Sequence, residues 1–328
     1  MTSVQSVRRR ERAGEIVALS LSGGKDSAAV ALYLRELRIP HVRLFFDTGW
    51  EHPDLYQHLG YLEGEFGPIL RLTMQAPDFA GEVEERVREI EALVGVARSA
   101  FVRLCVRKGM FPSRVTRFCT EELKIWPFLA WAESVDASVI NAVGVRADES
   151  VARSGMPEWE HMRDRRGREI DAIEVWRPIL RWTEEEVIAV HRRYGLRPCP
   201  LYLRGATRVG CWPCIQAGKA ELRLIGDDPR RVQAMRLLEA LIGDLTRARK
   251  EGRGDDMTGW SPPAFFQRST PDAAGKYSRE PIDSVLDWAR TERGGRQMSL
   301  TPRFGGGDRG GGGCMRWGMC DTSGGKDG

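Results

Sequence analysis

Residues 22–27 carry the clearest chemical signal in the sequence. They read Ser-Gly-Gly-Lys-Asp-Ser and lie between a short apolar run and a stretch with helical periodicity. Glycines let a backbone approach a phosphate closely, and the amides at the start of a helix point towards an anion. Lys25 adds a positive charge, Ser22 and Ser27 add hydroxyl donors, and Asp26 can help to hold a cation. The segment predicts a phosphate-binding loop rather than an ordinary glycine turn, and Asp26 after the lysine distinguishes it from a Walker A loop.

The cysteines form a second candidate site. Their number is odd, seven in all, and the sequence has no secretory signal, which favours metal binding or catalysis over a disulfide framework. Cys211 and Cys214 form a CxxC pair on a proline-bearing turn. Such a pair binds an iron–sulfur cluster or zinc, or works as a metal-free redox pair. Cys105 lies in an apolar stretch and is expected to be a small buried side chain.

Alternating strand and helix patterns position both sites. Short apolar runs predict strands at residues 16–21, 42–46, 69–72 and 139–145. Helical periodicity and capping residues predict helices at residues 28–37, 53–66, 79–93, 183–194 and 228–250. Strands separated by helices are typical of βαβ units, so we expect an α/β fold with a doubly wound, mostly parallel sheet and helices on both faces.

Composition divides the chain into four predicted segments. Residues 1–14 form a basic arm that we expect to be poorly ordered, and residues 15–220 form the α/β domain. Residues 221–300 form a smaller helical appendage. Residues 301–328 form a flexible glycine-rich tail that carries Cys314 and Cys320.

The overall composition limits the class of protein. The 328 residues are 41% hydrophobic and 29% charged, enough to build a sizeable core. No apolar run approaches the roughly 18 residues needed to cross a bilayer, so we expect a cytoplasmic protein with no membrane partner. The net charge of +4 permits a nucleic-acid partner. Residues 98–117 hold six basic and no acidic side chains interleaved with phenylalanines, and fit a nucleic-acid-binding stretch or a solvated helix equally well.

Three segments together resemble a known superfamily. Residues 22–27 resemble the PP-loop of the N-type ATP pyrophosphatases (the adenine nucleotide alpha-hydrolase-like superfamily), which split ATP between the α and β phosphates and activate an acceptor as an adenylate. Residues 47–49 are similar to the adenosine-contacting Asp-Thr-Gly of that superfamily, and residues 144–150 to the GxRxxES segment of its phosphoadenosine phosphosulfate (PAPS) reductase branch. Taken alone, each of these two also fits a commoner feature, an ordinary turn or a surface ion-pair cluster. The resemblance covers roughly residues 15–218.

The resemblance implies MgATP as the ligand and assigns the residues that bind it. The implied nucleotide-binding residues are Ser22, Gly23, Gly24, Lys25, Asp26, Ser27, Asp47, Thr48, Gly49, Gly144, Arg146 and Glu149. The implied catalytic residues are Lys25, Asp26 and Arg146. A lysine and an arginine can offset the charge that builds on transferring phosphates.

The cysteines also lie in segments that resemble known proteins. Residues 200–214 resemble the PLYxxGxxxxGCxxC segment of adenylyl-sulfate reductases, in which the cysteines bind a [4Fe-4S] cluster. Residues 117–127 are similar to a segment of Dnd-type DNA phosphorothioation proteins and of phage PAPS reductase-like proteins, although the reductases have adjacent cysteines where this chain has Phe118 and Cys119. The implied ligands are Cys119, Cys211 and Cys214, with a fourth from Cys320, Cys314 or Cys199. Cys320 is favoured because related phage proteins end in C-x5-C, and a zinc site is the alternative.

The function implied first is that of an ATP-dependent sulfur-transfer enzyme. It would bind MgATP, adenylate an acceptor with release of pyrophosphate, and use the cluster to incorporate sulfur from a cysteine desulfurase or another donor; a nucleic acid is the candidate acceptor. The alternative is an adenylyl-sulfate or PAPS reductase that releases sulfite through Cys314 or Cys320. The absence of that family's ECGxH around either cysteine, and the intact SGGKDS, favour the first function. A non-catalytic nucleotide- or nucleic-acid-binding subunit is a third hypothesis.

Overall fold

A six-stranded sheet organises the chain. The computed structural model describes residues 3–164, 166–266, 268–271, 277–291 and Trp317. The strands of the sheet are β1 (Ile16–Ser20), β2 (Val42–Phe46), β3 (Ile69–Leu72), β4 (Val139–Val143), β5 (Trp159–Arg163) and β6 (Glu169–Trp176). Their order is β3-β2-β1-β4-β6-β5, and only β5 runs antiparallel to its neighbour. The predicted doubly wound, mostly parallel sheet is confirmed.

Helices connect the strands and extend beyond them. They are α1 (Ser3–Arg12), α2 (Lys25–Glu36), α3 (Pro53–Phe66), α4 (Gly81–Val94), α5 (Ala100–Lys108), α6 (Phe118–Thr120), α7 (Trp126–Ser134), α8 (Val151–Ser154), α9 (Glu184–Arg193), α10 (Pro200–Leu203), α11 (Lys219–Gly226), α12 (Pro229–Glu251) and α13 (Ile282–Arg290). A π-helical segment (Glu121–Ile125) joins α6 to α7, and a 3-10 turn (Ala147–Glu149) precedes α8. A short antiparallel pair, β7 (Ser269–Pro271) and β8 (Tyr277–Arg279), lies apart from the main sheet.

Both faces of the sheet are covered, because apolar side chains alternate along its strands. Ala18 of β1 and Leu44 of β2 pack against Phe128 of α7 on one face. Val17 and Leu19 of β1 point to the larger core on the other face, where α2 contacts β1 and β4. The period-two alternation of a strand places neighbouring residues on opposite faces. The predicted helices on both faces are therefore confirmed.

The N-terminal segment differs from its prediction. Residues 3–12 form α1, whereas the sequence predicts a poorly ordered basic arm at residues 1–14. Val7 is fully buried, and Arg10 pairs with Glu15 and Glu174. A buried apolar side chain and a paired arginine fix the helix to the sheet, so the prediction of a poorly ordered arm is wrong over these residues.

The C-terminal helices pack onto the α/β part of the chain. Asp228 caps the start of α12, because its side chain accepts a hydrogen bond from the Arg231 amide, and α12 contacts α4 and α5. The predicted boundary between residues 220 and 221 falls inside α11. The predicted tail, residues 301–328, lies outside the described residues apart from Trp317. Among the helices that the structure describes, none is both long and apolar enough to span a membrane.

Candidate active site

Two strand ends meet where the strand order of the sheet reverses. β1 and β4 are neighbouring parallel strands, but β2 lies beyond β1 on one side and β6 lies beyond β4 on the other. In open α/β sheets, ligands bind outside the carboxyl ends of the strands at such a point. Residues 21–24 leave β1 there and residues 144–149 leave β4. The topology thus brings two of the predicted segments to one crevice.

Glycines permit the close contacts at this crevice. Gly23 has a φ of +74°, and a Cβ atom there would lie 2.4 Å from a methyl carbon of Leu55. A Cβ atom on Gly144 would lie 2.6 Å from the backbone nitrogen of Ser27 and 2.7 Å from the carbonyl carbon of Asp26. Only glycine allows these approaches, so the end of β4 lies directly against the first turn of α2.

Serine hydroxyls hold the phosphate loop, residues 22–27, in shape. Ser27 Oγ donates to the Gly24 carbonyl at 2.9 Å and accepts from the Ser22 amide at 3.1 Å. Ser22 Oγ lies 3.1 Å from Ser27 Oγ. Because side chains of the loop satisfy its own backbone, the loop is ordered before any ligand binds. The amides of the first helical turn, which lack acceptors within the helix, follow directly.

Lys25 is 7% exposed and has acidic and aromatic neighbours. Its Nζ lies 3.5 Å from the carboxylate of Asp26 and 3.4 Å from that of Glu184 in α9. Nζ also donates to the carbonyl of Thr207 at 3.5 Å and lies 5.1 Å from the ring centre of Tyr202. The ammonium group is thus held at the crevice by groups from three separate segments.

Arg146 approaches the same carboxylate from the other strand end. Its guanidinium is 4% exposed and donates to Asp26 and to Asp148. Burial opposes the charged form, but the two carboxylates outweigh it and raise the pKa of Arg146. Glu149 accepts a hydrogen bond from the Arg146 amide at 3.2 Å and pairs with Arg153. Lys25 and Arg146 therefore share the Asp26 carboxylate.

The crevice is a cleft of about 760 Å³, large enough for a nucleotide-sized ligand. The predicted residues that line it are Ser22, Gly24, Lys25, Asp26, Ser27, Gly144, Arg146 and Glu149. Further lining residues that sequence reasoning missed include Asp148, Arg153, Glu184, Tyr202, Thr207 and Arg208. The two predicted segments at β1 and β4 are thus brought together, with Gly23 beneath the loop against Leu55.

Residues 47–49 lie outside this cleft lining and shape the turn after β2. Asp47 accepts hydrogen bonds from the Gly49 amide and the Tyr56 hydroxyl, at 2.9 and 2.7 Å. Thr48 is fully buried and donates to Glu51 at 2.7 Å. Gly49 has a φ of +65° and packs against the backbone of α5 at its start. Their predicted contact with adenosine stays a prediction.

The turn after β2 also positions the CxxC pair. Cys211 forms an isolated β-bridge with Glu51, and the indole of Trp50 donates to the Pro213 carbonyl at 3.1 Å. The Cys211 thiol lies 3.9 Å from the Glu51 carboxylate and 3.8 Å from the Thr48 hydroxyl. Burial raises the pKa of Cys211 to about 12, against the lowering effect of Lys124.

Lys124 lies among the three predicted ligands Cys119, Cys211 and Cys214, and we call these four residues the cysteine cluster. Cys211 raises the pKa of Lys124 most strongly, burial opposes this, and Cys214 and Cys119 add to it. All three thiols thus act on one lysine, yet the described residues contain no group of three or more His, Cys, Asp or Glu side chains arranged to hold a metal. Sequence reasoning assigned no role to Lys124, because nothing in its local sequence indicates that this lysine lies near the thiols.

The remaining cysteines have separate places. Cys105 is fully buried, as predicted, and burial raises its pKa well above the ordinary value. Cys199 is buried at the start of α10, where burial raises its pKa to about 11 and Asp54 and Arg204 are the charges that act on it. The two tail cysteines, Cys314 and the predicted ligand Cys320, lie outside the described residues.

The basic stretch at residues 98–117 divides into structural and exposed parts. Arg103 is 1% exposed and bonded to Glu84 and Glu91 of α4, while Arg107 and Lys108 both pair with Glu122. Arg98 pairs with Asp78. Arg114 and Arg117 are exposed and have no ion pair with any residue that the structure describes. Of the six basic side chains in this stretch, only Arg114 and Arg117 are therefore exposed and without an ion-pair partner among the described residues.

Residues 207–210 lie between the cleft and the CxxC pair, and we call this segment the shared wall. Residues 207–209 line the cleft, and residues 208–214 include the lining of a small pocket beside Cys211 and Cys214. Glu221 holds this wall, because its carboxylate accepts from the amide and the hydroxyl of Thr207 at 2.8 and 2.7 Å. The phosphate loop and the cysteine cluster are thus neighbours across a single stretch of chain.

Comparison with known proteins identifies the family of the chain. Residues 16–217 match the phosphoadenosine phosphosulfate reductase domain family. The chain belongs to this family. The matched segment contains both strand ends of the cleft and the CxxC pair.

Relatives of this PAPS reductase-family chain include phage and bacterial proteins. An uncharacterized 37.8 kDa protein of Escherichia phage 186 is 34% identical over 320 residues, covering 86% of this chain and 90% of that protein. The adenosine 5'-phosphosulfate reductase of Allochromatium vinosum is 26% identical over 211 residues, covering 63% of this chain and 70% of the reductase. Among solved structures, the PAPS reductase of Candida auris in a phosphate complex is 14% identical with a TM-score of 0.45, covering 65% of this chain and 90% of that one.

Replacing Gly144 by alanine should separate the end of β4 from α2. The added Cβ atom would overlap backbone atoms that cannot rotate away, so we expect Gly144→Ala to lower the free energy of unfolding by about 1–3 kcal/mol. Gly155→Ala is the matched control, because nothing lies within 4 Å of its Cβ position, and it should change stability by less than about 0.5 kcal/mol. Urea denaturation measures both. Equal stability of the two variants would contradict the contact.

Proposed function

We propose that this protein is an ATP-dependent sulfur-transfer enzyme that binds MgATP in the cleft and adenylates an acceptor with release of pyrophosphate. The observation that carries the proposal is the convergence of Lys25 and Arg146 on Asp26 beside an ordered phosphate loop. Two fixed cations at a helix start are suited to a polyphosphate chain. Membership of the PAPS reductase family supports a nucleotide as the ligand.

The chemistry asked of these residues is mainly electrostatic. An acceptor nucleophile attacks the α-phosphorus, the bond from that phosphorus to the bridging oxygen breaks, and the electron pair leaves with pyrophosphate. Lys25 and Arg146 stabilise the charge that develops on the phosphate oxygens, and they are positioned before the reaction. Asp26, Asp148 and Glu149 supply carboxylates at the cleft, the oxygen ligands that Mg²⁺ takes together with phosphates. Bound Mg²⁺ would neutralise phosphate charge.

Calorimetric titration with MgATP, adenylyl sulfate and PAPS tests the proposal without knowledge of the acceptor. We expect MgATP to bind more tightly than either sulfonucleotide. Lys25→Ala removes a charge-assisted contact and should raise the Kd for MgATP by about 10- to 100-fold. Lys250→Ala is the control and should leave the Kd unchanged, since Lys250 lies on α12 and is paired with Asp255.

The other outcomes have definite meanings. A preference for adenylyl sulfate or PAPS would overturn adenylation in favour of the reductase, which releases sulfite through a tail cysteine. ATP-dependent turnover that survives Lys25→Ala would remove the catalytic assignment and favour a non-catalytic nucleotide-binding subunit.

We also propose that Cys119, Cys211 and Cys214 bind a [4Fe-4S] cluster, with Cys320 as the fourth ligand and zinc as the alternative metal. The support is that Cys119, Cys211 and Cys214 all raise the pKa of one lysine, Lys124, that the CxxC pair is held against the turn after β2, and that thiolates are the ligands of both groups. A bound cluster would supply the site at which sulfur is held. No step of the adenylation depends on it.

Metal analysis of anaerobically purified protein tests the cysteine assignment. We expect about four iron and four sulfide ions per chain, lost in Cys211→Ser and in Cys214→Ser. Cys105→Ala is the control, since that thiol lies in the apolar core, and should retain the iron. Cys320→Ala and Cys199→Ala distinguish the candidate fourth ligands. One zinc per chain would replace the cluster by a structural site, and no bound metal in the fresh protein would remove the assignment.

We propose a nucleic acid as the acceptor, supported by the exposed Arg114 and Arg117 beside Cys119. If these arginines contact phosphates, the double variant Arg114→Ala/Arg117→Ala should weaken binding of a labelled oligonucleotide and reduce the slope of log K against log salt by about 1–2. Arg9→Ala/Arg12→Ala on α1 removes the same charge from an exposed helix and is the control. Equal losses in both variants would indicate non-specific attraction and remove the assignment. Fluorescence anisotropy over a salt series measures the effect.

A further inference from the structure

A tryptophan from the C-terminal region packs behind the phosphate loop. Trp317 is 5% exposed, although the neighbouring part of the chain carries many glycines. Its ring centre lies 5.3 Å from that of His191, edge to face, and 5.9 Å from that of Tyr202. Trp317 belongs to the main apolar core and is not among the residues that line the cleft, whereas Tyr202 is.

The two residues that Trp317 contacts both hold the backbone of Lys25. The Lys25 amide donates to the Tyr202 hydroxyl at 3.2 Å, and His191 Nε2 lies 2.8 Å from the Lys25 carbonyl. A carbonyl only accepts, so Nε2 carries the proton of a neutral ring; burial lowers the pKa of His191 and favours that form. The Tyr202 ring also lies under the Lys25 ammonium. Lys25 of the phosphate loop is thus held through its backbone amide, its backbone carbonyl and its side-chain ammonium.

His191 and Tyr202 can hold Lys25 only while their rings are kept in place. His191 lies near the end of α9, and Tyr202 lies in the four-residue helix α10, so the two come from separate elements. Trp317 contacts both rings at once and is the aromatic group that joins them. A buried aromatic side chain supplies large contact area with few rotatable bonds.

We propose that Trp317 is a positioning residue of the phosphate-binding site, which couples the C-terminal region to ligand binding by bracing His191 and Tyr202 behind Lys25. The ligand of that site is a phosphate chain. The inference therefore rests on one part of the proposed function, namely that the cleft binds phosphates. Because such coupling is reciprocal, a phosphate ligand stabilises the packed position of Trp317 by the same factor as Trp317 strengthens binding of the ligand.

Binding of inorganic pyrophosphate and of MgATP to the full-length protein tests whether Trp317 positions the phosphate-binding site. We expect Trp317→Ala to raise both Kd values about tenfold or more, and Trp317→Phe to restore most of the affinity because an aromatic ring still contacts both partners. Trp131→Ala is the matched control: Trp131 packs against Phe128 on α7, on the other face of the sheet, and its loss should leave both Kd values unchanged. Circular dichroism shows whether each variant is folded.

The reciprocal effect is measured on the unmodified chain, so it decides the question even if Trp317→Ala fails to fold. Trypsin cleaves after Arg316, the residue before Trp317. Saturating pyrophosphate should slow that cleavage about tenfold, and should have no such effect in Lys25→Ala. Wild-type protein that binds neither pyrophosphate nor MgATP contradicts the proposed function. Wild-type protein that binds them, with unchanged affinity in Trp317→Ala or unchanged cleavage at Arg316, contradicts the brace alone.

Discussion

The contact between Gly144 and the first turn of α2 is the constraint on which the rest of the site depends. A side chain at this position would collide with backbone atoms of Asp26 and Ser27, so the end of β4 can lie this close to α2 only through glycine. The contact delivers Arg146 to the carboxylate that Lys25 already approaches. Without it, the reversal of strand order would leave a crevice but no shared charge.

The buried charges of the cleft balance one another, and this balance favours a binding role over a purely stabilising one. Lys25 and Arg146 are both nearly buried, and burying a charge without a partner is costly. Their common partner is one carboxylate, Asp26, with Glu184 and Asp148 at the edges. Apolar residues of the same volume would stabilise the fold at least as well. Because the stability of the fold does not require this cluster of charged side chains, the cluster points to a charged ligand.

The sequence predicts those elements that local patterns encode. It does not predict features that arise only when distant segments pack together. β2, β3 and α3 have the predicted bounds, because apolar runs and caps encode them locally. The β5–β6 hairpin was missed, since β6 begins among charged, exposed residues and reads as a loop. The contact of residues 47–49 with adenosine stays a prediction from the resemblance, and the sequence did not show that the side chains of Asp47 and Thr48 shape the turn that holds the CxxC pair. The position of Lys124 near the thiols follows only from the folded chain.

The shared wall at residues 207–210 gives the two halves of the proposed chemistry a physical connection. Lys25 donates to the Thr207 carbonyl on one side of this segment, and Cys211 begins the CxxC pair on the other. Glu221 fixes the segment from α11 through two hydrogen bonds to Thr207. Only three residues separate Thr207, whose carbonyl Lys25 contacts, from the first thiol of the pair. An enzyme that activates an acceptor at one site and supplies sulfur at the other requires the two sites to be this close, whereas a simple nucleotide-binding subunit does not.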